Sequence, residues 1–114
     1  MLVVDDDTSI RELLHTALAE EGYDVKLAVD GQDALDVIER WLPDVIVLDL
    51  MMPILDGWAV ARRVHETCGV PIIALSAVTE LQRHATALGV HEFVQKPFDL
   101  DALLPKISRA AGTG

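Results

Sequence analysis

Cysteine, basic residues and long apolar runs are scarce in this chain of 114 residues, and each scarcity excludes a class of protein. Its one cysteine, Cys68, cannot form a disulfide within the chain, so a reducing, cytoplasmic location is expected. The net charge of −10 repels nucleic acid and anionic membranes, so neither is expected as a direct partner. No apolar run approaches the roughly 20 residues that a membrane-spanning helix needs.

The length fits one domain, and the 51% of residues that are hydrophobic suffice for a core. The first residues have no basic region and meet an acid at once, unlike a signal peptide. We expect one domain over residues 1–114, either complete or lacking one or two N-terminal residues of its first strand. No effector domain is expected within it.

Five short runs rich in Val and Ile alternate with stretches of helical periodicity. The runs cover residues 2–4, 25–29, 45–48, 72–75 and 92–95. This alternation predicts βα units and a parallel sheet. The third and fourth runs are apolar on both faces, which is typical of strands covered by helices on both sides. In such sheets, ligands bind beyond the carboxyl ends of the strands, where the strand order reverses.

The first helix has the clearest pattern. An i, i+3, i+4, i+7 spacing predicts one apolar stripe that consists of Ile10, Leu13, Leu14, Ala17 and Leu18. Thr8 or Ser9 is predicted to cap the start of this helix, and Gly22 to end it.

Four further helices are predicted. They cover about 32–41, a stretch after Gly57, about 79–88, and a stretch after Asp99. Pro105 falls inside the last one, where we expect a kink or a late restart of the helix and not its loss, because proline removes a hydrogen bond and clashes one turn back.

Polar residues follow four of the five predicted strands. They are Asp5 and Asp6 after the first, Asp49 after the third, Ser76 after the fourth and Lys96 after the fifth. Clustered carboxylates need protons or a cation to offset their repulsion, and hard oxygen ligands suit Mg²⁺. A cation, an ammonium group and a hydroxyl around one carboxylate can bind phosphoryl oxygens, and a carboxylate can itself be the nucleophile. The adjacent Asp7 and Thr8 are interpreted as residues that start a helix.

These ordered motifs together resemble the receiver domain of two-component response regulators, over nearly the whole chain. The matching segments are residues 2–7 with 10–14, Asp30-Gly31 with Ala34-Leu35, 43–53 with Asp56-Gly57, 71–77, and Lys96-Pro97-Phe98. The resemblance implies an α/β, flavodoxin-like, doubly wound (βα)5 fold with a five-stranded parallel sheet of order 2-1-3-4-5.

The resemblance also implies an acceptor and its metal. Asp49 would be the phosphoacceptor. Mg²⁺ would be bound directly by Asp6, Asp49 and the backbone carbonyl of Met51, and through water by Asp5.

A switch is implied as well. Ser76 would hydrogen-bond the phosphoryl group, and Lys96 would pair with it beside a cis bond to Pro97. The small Ala77 would leave the site open. Movement of Ser76 would let Phe93, at the family's switch-aromatic position, turn inward.

The implied partners are a histidine kinase or a histidine phosphotransfer domain, which supplies the phosphoryl group. The output would be an effector or a second copy, reached through the face of the fourth predicted helix, the fifth strand and the fifth helix. The domain would be no enzyme beyond its own phosphorylation and slow dephosphorylation. Met51 and Val78, two residues after Asp49 and Ser76, are apolar and cannot orient a hydrolytic water.

Three alternative functions would each require different residues at these positions. A Mg²⁺-dependent phosphohydrolase would need a second acid two residues after its nucleophile, where Met51 stands. A flavin-binding domain of the same fold would need a loop rich in Ser, Thr and Gly where residues 5–7 are all Asp, and its flavin absorbance would reveal it. A degenerate receiver that acts only as a binding module would lack some of the acceptor groups, all of which are present here.

Overall fold

The computed structural model describes residues 1–52, 57–76 and 90–112. Within them, strands and helices alternate as β1 (Leu2–Val4), α1 (Thr8–Glu20), β2 (Lys26–Ala28), α2 (Gly31–Arg40), β3 (Ile46–Asp49), α3 (Gly57–Thr67), β4 (Ile72–Ser76), β5 (Glu92–Gln95) and α4 (Leu100–Ala110). The fifth predicted helix is therefore α4. The helix predicted over 79–88 lies outside the described residues, as do Asp56, Ala77 and Val78.

The strands form one parallel sheet of order β2-β1-β3-β4-β5, which confirms the predicted fold class. The order reverses between β1 and β3, so the loops that follow these strands leave toward opposite faces. The register pairs Val4 with Leu48, and the chain continues from both into the predicted acidic residues. The sheet therefore delivers the two acidic segments to one edge.

Two apolar layers cover the sheet, one on each face. Leu2, Val4, Ile46 and Leu48 point into the layer that includes Val60 of α3. Their neighbours Val3 and Val47 point into the other layer, with residues of α1 and α4. The central strands are buried throughout, as their two-sided apolar character predicted. No helix in the described part of the chain is long and apolar enough to span a bilayer.

The start and the buried face of α1 differ from the prediction. Asp7 caps the helix instead of Thr8 or Ser9, since its Oδ1 accepts from the backbone N–H groups of Ser9 at 2.8 Å and Ile10 at 3.3 Å. Leu13 is 47% exposed, because α1 meets the sheet along the narrower i, i+4 row of Leu14 and Leu18.

The predictions for Gly22 and Pro105 have different outcomes. Gly22 has a φ of +92° just beyond α1, as predicted for a glycine that ends a helix. Pro105 lies inside α4, which begins after Asp99 as predicted and runs unbroken from Leu100 to Ala110, so the alternative of a late restart at the proline is wrong. Pro105 and Asp101, one turn before it, are both exposed, so the proline interrupts the hydrogen bonds of the helix on its solvent-facing side.

The first residue of α3 rests directly on the end of β3. Gly57 donates its backbone N–H to the carbonyl of Leu50 at 3.2 Å. A Cβ atom at position 57 would overlap the carbonyl oxygen of Asp49 and the Cα of Leu50. Only glycine allows this approach, so α3 helps to fix the backbone that carries Asp49.

Replacement of Gly57 by Ala should lower the free energy of unfolding by about 1–3 kcal/mol, because the added methyl forces two backbones apart. The direction of this change in stability is informative, because Ala normally stabilises a helix relative to Gly by up to about 1 kcal/mol. Urea unfolding measures the effect. The exposed Arg62 of the same helix provides the control, where Ala should be more stable than Gly. A Gly57→Ala protein as stable as the wild type would contradict the close approach.

Candidate functional site

Three carboxylates meet where β1 and β3 end. Ligand oxygens of Asp5, Asp6 and Asp49 all lie within 4.8 Å of one another. Asp5 is fully buried and Asp49 is 3% exposed, whereas Asp6 faces solvent. The predicted acidic cluster therefore exists, and it combines two carboxylates withdrawn from water with one that remains accessible.

Hydrogen bonds hold the two buried carboxylates. Asp5 accepts from the backbone N–H of Asp7 at 2.9 Å and from Lys96 Nζ at 2.9 Å. Asp49 accepts from the backbone N–H of Met51 at 3.0 Å, and its Oδ2 lies 3.5 Å from Lys96 Nζ. Lys96 thus bridges both acids with one ammonium group.

The ends of β4 and β5 complete this edge of the sheet. Ser76 is buried at the end of β4, and its carbonyl accepts from the backbone N–H of Lys96 at 2.8 Å. The bond between Lys96 and Pro97 is cis, as the resemblance implied. Phe93 does not belong to this cluster, because it is half-buried against the apolar layer next to α2 and α3. Met51 is beside the cluster with a side chain that is 58% exposed.

The family pattern described as response regulator receiver domain matches residues 1–108. The chain belongs to this family. Receivers are signalling switches of two-component systems that accept a phosphoryl group, so the phosphohydrolase and flavin-binding alternatives are set aside.

Two curated relatives show how far the likeness extends. The "Probable transcriptional regulator ycf27" of Porphyridium aerugineum is 41% identical over 114 residues, with 96% of this chain and 48% of the relative covered. The "Response regulator MprA" of Mycolicibacterium vanbaalenii is 43% identical over 110 residues, with 94% and 48% covered. The chain spans about half the length of the curated relatives it matches.

Two solved structures share the fold of this receiver. The receiver domain of the Francisella response regulator 1452 superposes with a TM-score of 0.91 at 35% identity, covering 97% of this chain and 94% of its own. The response regulator TrrA of Thermotoga maritima, solved in complex with Mg²⁺-BeF, superposes with a TM-score of 0.86 at 34% identity, covering 96% of each chain.

Burial and neighbouring charges perturb the two central groups of the receiver. Withdrawal from water raises the pKa of Asp49 to about 6, with further upward contributions from the charge of Asp5 and a hydrogen bond with Asp6. The Met51 N–H and Lys96 oppose this shift. For Lys96, burial alone would lower the pKa, but its contacts with Asp5 and Asp49 outweigh burial and raise it. Lys96 therefore stays charged.

The donor set fits a hard divalent cation. Three carboxylates face one ammonium group, so negative charge is in excess. Burial, which is the main cause of the raised pKa of Asp49, and the charge of Asp5 both make an ionised Asp49 costly, and a cation would offset that cost. Clustered carboxylate oxygens with one solvent-facing member suit Mg²⁺, which binds few carboxylates and retains several waters.

Two contacts at the site were not predicted from the sequence. The guanidinium of Arg11 donates from Nη1 to the main-chain carbonyl of Asp5 at 2.7 Å, and from Nη2 to Thr8 Oγ1 at 3.1 Å. Gly57 packs on the Asp49 carbonyl. The contact of Arg11 could have been predicted from its position one turn after the acidic segment. A helix that starts after Asp7 places Arg11 over the end of β1.

Asp49→Asn should stabilise the metal-free protein at neutral pH and have little effect in acid. Because the pKa of folded Asp49 is raised from 3.8 to about 6, the folded state binds its proton more tightly than the unfolded state does. That contribution is fully present below about pH 4 and is lost as pH rises through about 6. The gain above about pH 7 should be on the order of 2–3 kcal/mol.

Urea unfolding from pH 4 to pH 8 in a chelating buffer measures this effect. Glu66→Gln, which removes an exposed acid on α3, is the charge-matched control and should show no such pH dependence. Equal stabilities of wild type and Asp49→Asn at pH 8 would contradict the raised pKa of Asp49.

Proposed function

We propose that Asp49 is the phosphoacceptor, and that it takes its phosphoryl group from a phosphohistidine of a histidine kinase or histidine phosphotransfer domain. The observation that carries the proposal is the contact of this buried, strand-end carboxylate with Lys96, within a cluster of three acids. A carboxylate oxygen of Asp49 attacks phosphorus, a P–O bond forms, and the P–N bond breaks with its electron pair left on the imidazole. The product is an aspartyl phosphate.

Lys96 and Ser76 bind the phosphoryl group once it is on Asp49. Lys96 is 3.5 Å from one Asp49 oxygen, and its contacts with Asp5 and Asp49 preserve its positive charge against the effect of burial. A phosphoryl group on Asp49 brings more negative charge than the carboxylate alone, so the ammonium shifts toward it. Ser76 ends the strand next to β3, where its hydroxyl can hydrogen-bond a phosphoryl oxygen.

Mg²⁺ is the proposed cofactor, held by Asp6, Asp49 and the backbone carbonyl of Met51, and by Asp5 through water. When bound, it would supply positive charge that offsets the negative charge of phosphoryl oxygens. The close carboxylate oxygens and the solvent-facing Asp6 support this assignment, as does the Mg²⁺-BeF complex of the similar TrrA.

The proposed output is a change at the face made by the helix predicted over 79–88, β5 and α4. Phe93 lies on β5, at the edge of the sheet, and pairs in register with Ala74. Glu92, its neighbour, is tied to α4 through Lys106 at 3.3 Å and Arg109 at 3.5 Å. A shift of Phe93 is therefore transmitted along an element that α4 already contacts, toward an effector or a second copy.

Incubation with acetyl phosphate and Mg²⁺ tests the acceptor. Wild type should gain the mass of one phosphoryl group, Asp49→Ala should gain none, and a chelator should suppress the gain. Asp44→Ala removes an exposed acid shortly before the same strand and should behave as wild type. Absence of the gain in wild type, or its persistence in Asp49→Ala, would overturn the proposal.

The phosphorylated domain should lose its phosphoryl group slowly, over minutes or longer, because the apolar Met51 cannot orient an attacking water. Its side chain is exposed beside Asp49, so Met51→Asn should be tolerated and should accelerate the loss. The decay is followed by intact mass after the donor is removed. Loss within seconds in wild type would contradict this prediction.

A further inference from the structure

We infer that Arg11 is a positioning residue for the metal site, a role that rests on the function proposed above. Its guanidinium reaches back from α1 to the end of β1 and donates to the main-chain carbonyl of Asp5 at 2.7 Å. Asp5 is fully buried, so Arg11 supplies a charged donor to a carbonyl withdrawn from water.

The side chain and the main chain of Arg11 are both held in place. Its second amino group donates to Thr8 Oγ1 at 3.1 Å, and the backbone N–H of Arg11 donates to the carbonyl of Asp7 at 3.0 Å. Arg11 therefore ties the first turn of α1 to both sides of Asp6. The planar fork of a guanidinium holds its N–H donors in a fixed geometry that matches these two acceptors, whereas the ammonium of lysine is a flexible point charge without that fixed geometry.

The hydrogen bond from Arg11 to Asp5 does not involve any carboxylate oxygen of the proposed metal site. Arg11 binds the main chain of Asp5, whose two carboxylate oxygens already accept from Asp7 N–H and Lys96. With Asp5 and Asp7 both fixed, the backbone between them determines where the exposed Asp6 carboxylate stands relative to Asp49. Arg11 thus orients a proposed direct ligand without contacting it.

Two physical effects of Arg11 on Mg²⁺ have opposite signs. Its positive charge repels a nearby cation, so charge alone predicts that Arg11→Met binds Mg²⁺ more tightly. Its positioning of Asp6 predicts weaker binding, because loss of an outer-shell partner typically costs 10–100-fold in metal affinity. We expect positioning to dominate, with Mg²⁺ bound about tenfold more weakly by Arg11→Met.

Isothermal titration of the unphosphorylated full chain with Mg²⁺ alone decides between them. Arg62→Met removes the same charge from an exposed position on α3 and should leave the affinity unchanged. Arg11→Lys keeps the charge but not the fork, and should also bind more weakly. Equal or tighter Mg²⁺ binding by Arg11→Met would overturn the inference.

Thermal unfolding of each variant shows whether it is folded, and Thr8→Val provides a milder change if Arg11→Met is not. That variant keeps Arg11 but removes its second anchor, so weaker Mg²⁺ binding supports the inference and unchanged binding overturns it. Wild type that takes up neither Mg²⁺ nor phosphate would instead count against the proposed function. Wild type that takes up both, beside an unaffected Arg11→Met, would count against Arg11 alone.

Discussion

The repulsion among three carboxylates at one edge of the sheet is the constraint on which the site depends. Two of them are buried, and their ligand oxygens lie within 4.8 Å of the third. Such an arrangement is stable only if positive charge and hydrogen-bond donors compensate it. Lys96 bridges Asp5 and Asp49, yet the pKa of Asp49 stays raised, chiefly because this carboxylate is buried and in smaller part because of the charge of Asp5. A cation is the ligand that this imbalance favours, and a phosphoryl group, which is itself negative, would need that cation beside it.

Much of this arrangement could be predicted because the sheet itself was predictable. Val3, Val47 and Ile73 are apolar and buried, and strands with two apolar faces have few places in a fold other than the centre of a parallel sheet. Once the strands are placed, their order brings Asp5 and Asp49 to the same edge. The cis bond before Pro97 was predicted from the family resemblance and not from the periodicity of the sequence.

The features that escaped prediction depend on how helices are oriented against the sheet. Leu13 belongs to the apolar stripe of α1 by spacing, yet it lies at the flank of the contact and remains exposed. Asp7, Thr8 and Ser9 are all good capping residues, and only the path of the chain out of β1 selects Asp7. The roles of Arg11 and Gly57 arise from contacts across a helix–strand junction, which no local pattern encodes.

The bond between Lys96 and Asp5 joins residues 91 positions apart, so the site connects the first strand of the sheet to the fifth. The two acidic segments emerge early, but their compensating cation arrives only with the last strand of the sheet. Until β5 docks, Asp5 and Asp49 must remain solvated or protonated, and the edge they share lacks its bridge. A chain whose fifth strand has not yet docked therefore has the acids without the lysine that bridges them, so the site is complete only once this long-range contact has formed.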